Sequence, residues 1–330
     1  THCISSAASD VYKRQAIIAF KNDHPDIFWI KNTFSYYDYD GSTYVELFYI
    51  SSGTTLETQK EKFNEALNDF VNNATMYSSE YEREKYVNDY IISNCVYDDE
   101  AAYNNNTKGN VSTAYGVLVD GKAICEGYAR AFQLLCNKLG IECVSIAGMT
   151  DDVGHEWNCA KIDGNWYQVD VTWNDSQDDF SNYYYFNLTD EQMYSSHRAD
   201  DLFDEIEPDN YNNDENLIGN LYVPECNSTE YNYYNQTAPI LYAFDEENDN
   251  TISNALANSA VNGDNYFSII VDDSLDFEDA YSTLVQGGYV VNYIESANNM
   301  LWGEVELDTS SYAYKNDTLR VITIVLNYIN

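Results

Sequence analysis

Three residues of this chain, Cys125, His155 and Asp170, are of the types that together make an activated nucleophile. The cysteine lies in Gly-Lys-Ala-Ile-Cys-Glu-Gly-Tyr-Ala, the histidine in Gly-His-Glu-Trp-Asn, and the aspartate in Trp-Tyr-Gln-Val-Asp-Val-Thr-Trp. A thiol becomes a nucleophile when a base takes its proton, and a carboxylate can orient that base. The three residues therefore predict nucleophilic catalysis by a cysteine.

Cys125 is the first residue of a predicted helix over 125–139. Apolar residues recur along this segment at spacings of three and four: Tyr128, Phe132, Leu135 and Leu139, widened by Ala129 and Cys136. A turn signal, Asp120-Gly121, precedes the segment, and Gly140 fits the position just after a helix. Cys125 is therefore expected in the first turn, on the buried side, where free backbone N–H groups favour an anionic thiolate.

His155 and Asp170 are expected on the two strands of a β-hairpin. Asp163-Gly164 separates two segments rich in aromatic and β-branched residues, and this dipeptide strongly favours a two-residue turn. The resulting register pairs Trp157 with Asp170. His155 and Asp170 are then diagonal neighbours on one face, with Cβ atoms roughly 7 Å apart, so that their side chains can form a hydrogen bond.

The stretch 114–174 resembles, almost continuously, the core of the bacterial transglutaminase-like family, a branch of the papain-type cysteine enzymes. The likeness rests on the Cys-Glu-Gly-Tyr-Ala, His-Glu-Trp-Asn and Val-Asp-Val-Thr-Trp runs, and on the Leu-Gly-Ile-Glu-Cys-Val link into a strand that ends at Gly148. Tyr97-Asp98, upstream, also resembles the family. The resemblance implies an α+β, papain-like core in which a nucleophile helix packs on an antiparallel sheet.

The resemblance also implies a role for each residue: Cys125 as nucleophile, His155 as general base and acid, and Asp170 as the orienting carboxylate. The expected reaction is acyl transfer from a peptide or carboxamide through a thioester. Water as acceptor gives a protease or amidase, and a lysine amine gives a cross-linking transglutaminase. We expect hydrolysis because the sequence shows no feature that would guide a lysine to the active site. The alternative is a non-catalytic cell-surface module that binds peptides or glycans on the same fold.

Further residues are candidates for the substrate cleft and the oxyanion site. The cleft candidates are Gly127, Tyr128, Trp157 and Trp173. Core packing is the ordinary role for both tryptophans, and Gly127 would let another backbone or a substrate come close. The Cys125 N–H is expected to bind the oxyanion with a second donor, for which the upstream candidates are Tyr103, Ser112 and Tyr115.

The other cysteines and histidines are expected to be structural. Buried, inert thiols are predicted at Cys136, Cys143 and Cys159, and a bridge between the first two is only conceivable. Seven cysteines without regular spacing and without Cys-x-x-Cys predict neither a disulfide framework nor a zinc site. His24, in a predicted turn, and His197, in a polar loop, are expected at the surface. No metal or cofactor is therefore expected at the catalytic residues.

The charge of the chain limits its partners. Its net charge is −39, with 16 basic and 55 acidic residues, and such a field repels nucleic acids and anionic membrane surfaces. No run approaches the 18 apolar residues of a membrane span. Asp245-Glu-Glu-Asn-Asp249 is a candidate calcium site, but it lacks the spacing of a calcium loop, and a solvated acidic run is the preferred interpretation. The expected partner is a peptide or protein substrate, for example a cell-wall or surface protein, and the composition indicates an extracellular or cell-surface location.

Composition divides the chain into five segments. They are 1–15, which resembles translated adaptor sequence and is expected to be a non-native leader; 16–75, a helix–hairpin–helix segment; 76–200, the transglutaminase-like core; 201–239, a linker or extended arm; and 240–330, an acidic, small α+β domain. Within the last segment we predict strands at 266–271, 289–294 and 319–328 and a helix near 277–285. Two tyrosine-rich clusters, 183–186 and 231–234, are ascribed to the high tyrosine content, with a stacking platform as the functional alternative.

Overall fold

The computed structural model describes residues 6–40, 42–104, 109–176, 178–202, 220–303 and 305–329. The chain forms two compact units, an N-terminal unit (Thr1–Gln177 with Tyr185–Ser228) and a C-terminal unit (Asp178–Tyr184 with Thr229–Asn330). The main boundary thus falls inside the predicted linker, of which residues 203–219 lie outside the described part. None of the described helices has the length and apolar character needed to cross a membrane.

The N-terminal unit begins with the predicted order of helix, hairpin and helix. Its first elements are α1 (Ser6–Asp23), β1 (Ile30–Tyr39), β2 (Ser42–Tyr49), α2 (Gly53–Ala74) and α3 (Glu80–Asn94), with β1 and β2 antiparallel. Helix α1 crosses residue 15, the predicted end of the leader, and residues 1–5 and the turn residue Gly41 are outside the described part. Helix α3 starts with the predicted capping box, formed by Ser79 and Glu82.

The nucleophile helix follows a short parallel strand pair. The elements are β3 (Val96–Tyr97), α4 (Asp99–Tyr103), a π-helical turn (Gly116–Asp120), β4 (Lys122–Ala123) and α5 (Cys125–Lys138). Helix α5 confirms the helix predicted over 125–139, and its buried face contains the predicted apolar stripe. Gly121 has a positive φ of 67°, which glycine adopts without strain, and the strand after it leads directly into the helix start.

The sheet beside this helix is four-stranded and antiparallel. Its strands are β5 (Glu142–Thr150), β6 (Val153–Ile162), β7 (Asn165–Val169) and β8 (His197–Ala199), in the order β7-β6-β5-β8. Asp163 and Gly164 have positive φ angles of 47° and 89°, as in a type I′ turn, and Ile162 faces Asn165. The predicted hairpin register is therefore confirmed. The side chain of Asn158 on β6 donates to the Ala129 carbonyl of α5, which ties the helix to the sheet.

Short elements complete this unit. Helix α6 (Val171–Asn174) follows β7 directly, and helix α7 (Asp190–Met193) precedes β8. The carbonyl and N–H of Gln168 on β7 both bond to Leu188, so the chain after α6 returns alongside β7. This return brings the segment around Tyr185 and strand β8 close to the end of the hairpin.

The C-terminal unit is a small α+β domain. Its elements are α8 (Tyr233–Thr237), β9 (Ile240–Leu241), α9 (Glu246–Asn262), β10 (Tyr266–Val271), α10 (Phe277–Tyr281), α11 (Val290–Leu301), β11 (Ala313–Asn316) and β12 (Val321–Val325). The strand order is β11-β12-β10-β9, with β9 and β10 parallel and the other pairs antiparallel. The acidic run proposed as a calcium site caps and begins α9, where carboxylates favour the helix dipole.

Two strand predictions in this unit differ from the structure. The strand predicted at 289–294 is wrong, because these residues enter helix α11, whose buried residues recur at spacings of three and four: Val290, Tyr293, Ile294, Ala297 and Leu301. The strand predicted at 319–328 is shorter, with only β12 regular. The strand at 266–271 is confirmed, and the helix predicted near 277–285 comprises α10 and a π-helical continuation, Ser282–Gln286.

Candidate active site

Cys125 is the first residue of helix α5, and Ile124 before it is extended with φ −100° and ψ 178°. The thiol is partly exposed, whereas Ala129 and Phe132 on the same helix are completely buried. The first N–H groups of a helix have no partner within the helix and favour an anion in front of them. The helix start therefore presents the sulfur to solvent at the position that best stabilises negative charge.

His155 on β6 and Asp170 after β7 form the hydrogen bond expected from the hairpin. The distance from His155 Nε2 to Asp170 Oδ2 is 2.7 Å, and both side chains are almost completely buried. The Cys125 thiol lies close enough to the His155 side chain to interact with it and raise its pKa. Because Nε2 faces Asp170, Nδ1 is the ring nitrogen left for the thiol. The thiol, imidazole and carboxylate thus form one continuous chain of polar groups.

Asp170 is held by backbone groups as well as by side chains. Its Oδ1 accepts from the backbone N–H groups of Thr172 and Trp173 at 2.9 and 3.2 Å, so this carboxylate caps helix α6. Its own N–H donates to the Tyr185 carbonyl. One carboxylate oxygen is therefore fixed by the helix start, which leaves Oδ2 for the imidazole.

The electrostatics of this pair favour charge separation. Burial by itself would raise the pKa of Asp170, but His155 and a second histidine outweigh it and hold that pKa well below its usual range. Burial would likewise lower the pKa of His155, but Asp170 and then Cys125 outweigh it and raise the pKa of His155 to about 10. Both shifts favour a protonated His155 beside an ionised Asp170 carboxylate.

The second histidine is His197, and its predicted surface position is wrong. Its side chain is completely buried, with Nε2 3.0 Å from Asp170 Oδ2 and Nδ1 2.8 Å from Ser196 Oγ. The prediction failed because strand β8 pairs with β5, a contact between residues distant in sequence, and this pairing turns His197 inward. The polar Ser-Ser-His segment gives no signal of this pairing in the sequence.

The four cleft candidates occupy different environments. Trp157 is fully buried and donates from Nε1 to Gln168 Oε1 at 2.7 Å, which is a core position. Trp173 is only partly buried, and its ring centre lies 6.0 Å from that of His155. Tyr128 lies in the core, with its hydroxyl donating to Asp175, so it presents no exposed wall. A Cβ at Gly127 would be 2.5 Å from a backbone oxygen, so another backbone, not a substrate, fills the space there.

Two of the upstream oxyanion candidates, Tyr103 and Tyr115, are less well placed than Tyr97, which the sequence did not suggest for this role. Tyr103 is 91% exposed, and the Tyr115 ring packs against Phe28 at 4.7 Å in an apolar cluster. Tyr97, on β3, instead lies close enough to Cys125 to interact electrostatically with its side chain and its backbone. Burial and then the proximity of Cys125 raise the pKa of Tyr97 to about 12, so its hydroxyl keeps its proton and can donate. The only indication of Tyr97 in the sequence was the resemblance of Tyr97-Asp98 to the family.

A partly buried ion-pair network connects the nucleophile helix to the histidine strand. Arg130 on α5 lies 3.0 Å from Glu126 and 3.9 Å from Glu156, and Glu156 also accepts from Ser145. Glu126 follows Cys125 and Glu156 follows His155 in the sequence. The network therefore holds the two chain segments that position the thiol and the imidazole.

A second buried network lies between helix α3 and the segment after Asp170. Asn174 donates to Asn88 Oδ1 and accepts from the Tyr185 N–H, each at 2.9 Å. Nearby, Asn187 donates to Glu84, and burial raises the pKa of Glu84 to about 8. Amide side chains thus hold the return segment that covers Asp170.

Within the described residues, one group of side chains could offer three ligand atoms to a metal: His155, Asp170 and His197, with those atoms within 4.8 Å of one another. Both imidazole Nε2 atoms are directed at the same carboxylate oxygen at hydrogen-bonding distance. This arrangement is accounted for by hydrogen bonds, and the expectation of no metal or cofactor stays a prediction. The described cysteines are all free thiols, Cys136 and Cys143 included.

The core thus belongs to the class of α+β domains that place a helix-terminal cysteine beside a histidine–aspartate pair. Residues 68–171 match the family model of the transglutaminase-like superfamily, to which this part of the chain is similar.

Similar proteins include the kyphoscoliosis peptidases of Mus musculus, 29% identical over 167 residues, and of Homo sapiens, 26% identical over 167 residues. Each match covers 47% of this chain and 24% of the relative, so the chain spans about a quarter of the length of these curated relatives. Among solved structures, a crystal structure of a TGase aligns with a TM-score of 0.32 and 18% identity, covering 51% of this chain and 49% of that chain.

Proposed function

We propose that this protein is a cysteine-dependent acyl-transfer enzyme that acts on peptide or carboxamide bonds, with hydrolysis as its main outcome. The observation that carries the proposal is the 2.7 Å hydrogen bond from His155 to the buried Asp170, with Cys125 close enough to His155 to interact with it electrostatically. A cysteine beside a base that is itself oriented by a third group is the arrangement of an activated nucleophile.

In the proposed mechanism, the Cys125 proton resides on His155 in a thiolate–imidazolium pair, and the thiolate attacks the substrate carbonyl carbon. The negative charge that develops on the carbonyl oxygen is stabilised by the Cys125 N–H and the Tyr97 hydroxyl. His155, with its pKa raised to about 10, holds the proton that the leaving amine requires. Cleavage of the C–N bond releases the amine and leaves a thioester on Cys125.

The acceptor in the second half-reaction determines the product. Water, deprotonated by His155, attacks the thioester and releases a carboxylic acid, whereas a primary amine attacks to form a new amide. The similar mouse and human proteins carry the name peptidase, which favours water as the acceptor. The proposal of an extracellular or surface location and of a peptide or wall-protein substrate accords with the strong negative charge of the chain.

The proposal is tested by following products from a defined pool of Gln- and Asn-containing peptides, with and without a primary alkylamine, by mass spectrometry. The wild-type protein is expected to carry an acyl adduct on Cys125 that can be detected after quenching with acid. It is also expected to release cleaved or deamidated peptides. Cys125→Ala should form neither, and Cys136→Ala, which removes a buried thiol from the same helix, should match wild type. Equal products from wild type and Cys125→Ala, with no adduct, contradict the proposal.

A non-catalytic binding function is the second candidate, and a groove in the C-terminal unit favours it. This groove has a volume of about 450 Å³ and is lined by aromatic and polar residues, among them Tyr183, Tyr233 and Asp264. The rings of Tyr183 and Tyr233 stack with centres 3.8 Å apart. Tyrosine faces with nearby carboxylates suit sugars or peptide side chains. Under this candidate, Tyr233→Ala abolishes binding of peptides or glycans in calorimetry, whereas Cys125→Ala does not change it.

A further inference from the structure

Asp170 is shared by two histidines that reach it from different strands. His155 on β6 faces Gly148 on β5, and His197 on β8 faces Thr150 on the same strand. Positions 148 and 150 point to one face of β5, so both rings lie over that face. A Cβ at Gly148 would be 2.5 Å from the Trp157 ring, and the missing side chain therefore gives room for the packed rings.

The ring of His197 is fixed on all sides. Its Nδ1 is 2.8 Å from Ser196 Oγ, and its ring centre lies 5.1 Å from Trp157, 4.6 Å from Trp173 and 5.6 Å from Tyr185. His155 differs, because it also interacts with the partly exposed Cys125. His197 does not contact the thiol, yet it takes one of the two hydrogen bonds that Asp170 Oδ2 can accept, and His155 takes the other.

We propose that His197 is a positioning residue, whose Nε2–H holds the Asp170 carboxylate in the orientation in which it aligns His155 with Cys125. With Oδ1 fixed by the start of helix α6 and Oδ2 fixed by His197, the carboxylate has no freedom to rotate. The inference rests on the proposed function, because it concerns the same nucleophile. It assigns His197 no contact with substrate.

The titratable groups around Asp170 come from several elements. His155 and His197 contact it from β6 and β8, while Tyr97 on β3 and Tyr185 on the return segment interact with it electrostatically. Cys125, on α5, acts on it through His155. A variant that tests the role of His197 in the pH dependence must therefore leave these other groups unchanged and alter only the hydrogen bond from His197 to Asp170.

The test is the pH profile of Cys125 alkylation by iodoacetamide, read by peptide mass spectrometry, in His197→Leu and His197→Gln. Leucine removes the donor, and glutamine replaces it with an amide N–H of similar reach. We expect His197→Leu to lose roughly tenfold to a hundredfold in rate at pH 6, as for a lost hydrogen bond to a charged group. His197→Gln should recover most of that loss. Ile162→Val, a buried change at the opposite end of the hairpin, controls for general destabilisation.

Two results would overturn the inference. One is a wild-type profile in His197→Leu, and the other is an equal loss in the leucine and glutamine variants, which indicates a packing role. His155→Ala, measured in parallel, separates this inference from the proposed function. If His155→Ala abolishes the reaction at pH 6 and His197→Leu does not, only the role of His197 fails. If wild type and His155→Ala react alike, both fail.

Discussion

The two units of the chain differ in what they bury. Among the described residues, the N-terminal unit fully buries Glu84, Asp170 and His197, and its Arg130 and Glu156 form an ion-pair network beneath the surface. The C-terminal unit fully buries aliphatic and aromatic side chains, and of the described polar residues only four: Asn232, Asn248, Ser253 and Thr323. None of these four carries a charge.

The difference accords with the active site proposed in the N-terminal unit. A buried charge costs free energy unless it is paired, so an interior that is optimised only for stability excludes it. The N-terminal unit contains several such groups, and they converge on the helix start and hairpin that present Cys125 and His155. The C-terminal unit has the ordinary core of a stable domain, and its candidate ligand groove lies on the surface.

The largest expected effect comes from Asp170→Asn. The amide keeps the shape of the carboxylate but does not provide the negative charge that holds the His155 imidazolium. Alkylation of Cys125 at pH 6 should fall about 10³- to 10⁴-fold, as for the equivalent change in other triads. Asp175→Asn, which alters a nearby carboxylate that contacts Tyr128 instead of His155, is the control and should change the rate less than about threefold. If the alkylation rate falls less than tenfold in Asp170→Asn, this carboxylate does not activate the site.

A large effect on stability is expected from Glu84→Gln. The folded pKa of Glu84 is about 8, above its usual 4.5, so the folded state favours the protonated acid. This contribution is fully present below pH 4.5 and is lost as pH rises toward 8, with a total of up to about 5 kcal/mol. Glutamine mimics the protonated acid. Urea unfolding should therefore show Glu84→Gln to be more stable than wild type at pH 8 and similar at pH 4.5.

The control for Glu84 is Glu57→Gln, which changes an exposed carboxylate on helix α2. Its stability should follow that of wild type at both pH values. If Glu84→Gln is no more stable than wild type at pH 8, the carboxyl is ionised and compensated within the fold, and the contrast between the two interiors is weaker than we describe.

Arg130→Met is expected to destabilise the N-terminal unit by about 1.5–3 kcal/mol, because it removes the cation that lies between the partly buried Glu126 and Glu156. Arg83→Met removes a surface arginine that donates to the Leu139 carbonyl, and it should cost under about 1 kcal/mol. Both are measured by urea unfolding. Equal losses in the two variants would mean that the network beneath Cys125 adds nothing beyond packing.

The smallest effect is expected in the C-terminal unit. The hydroxyl of Ser253 is buried without a hydrogen-bond partner, so Ser253→Ala should change stability by less than about 0.5 kcal/mol or increase it. Thr323→Val breaks a 2.8 Å bond to Ser268 and should cost about 1 kcal/mol. Thermal unfolding measures both, and a loss above about 2 kcal/mol in Ser253→Ala would reveal a polar partner in this interior.

Much of the site could be predicted from sequence because its determinants are local. A two-residue turn at Asp163-Gly164 defines the hairpin register, and the register places His155 beside Asp170. The periodicity of residues 125–139 defines the helix that begins at Cys125. These signals depend on residues within about fifteen positions of one another, so no knowledge of tertiary structure was needed.

The features that could not be predicted depend on distant pairings or on competing signals. His197 reaches Asp170 only because β8 pairs with β5, nearly fifty residues earlier in the chain, and no local pattern encodes that pairing. Segment 178–184 groups with residues after 228 for the same reason. The wrong prediction of a strand at 289–294 has a different cause. The helical spacing from Val290 to Leu301 is present in the sequence, but the preceding Gly-Gly and the β-branched residues favoured a strand.

The most direct test of the central claim is the alkylation rate of Cys125 from pH 4 to 9 in wild type and in His155→Ala. An ordinary thiol has a pKa of about 8.5 and reacts little below pH 7. The account predicts that wild-type Cys125 reacts rapidly at pH 5–7 and that His155→Ala reduces this to the behaviour of an ordinary thiol. If Cys125 titrates like an ordinary thiol in both proteins, the chain from Cys125 to Asp170 does not activate the sulfur, and the account is contradicted.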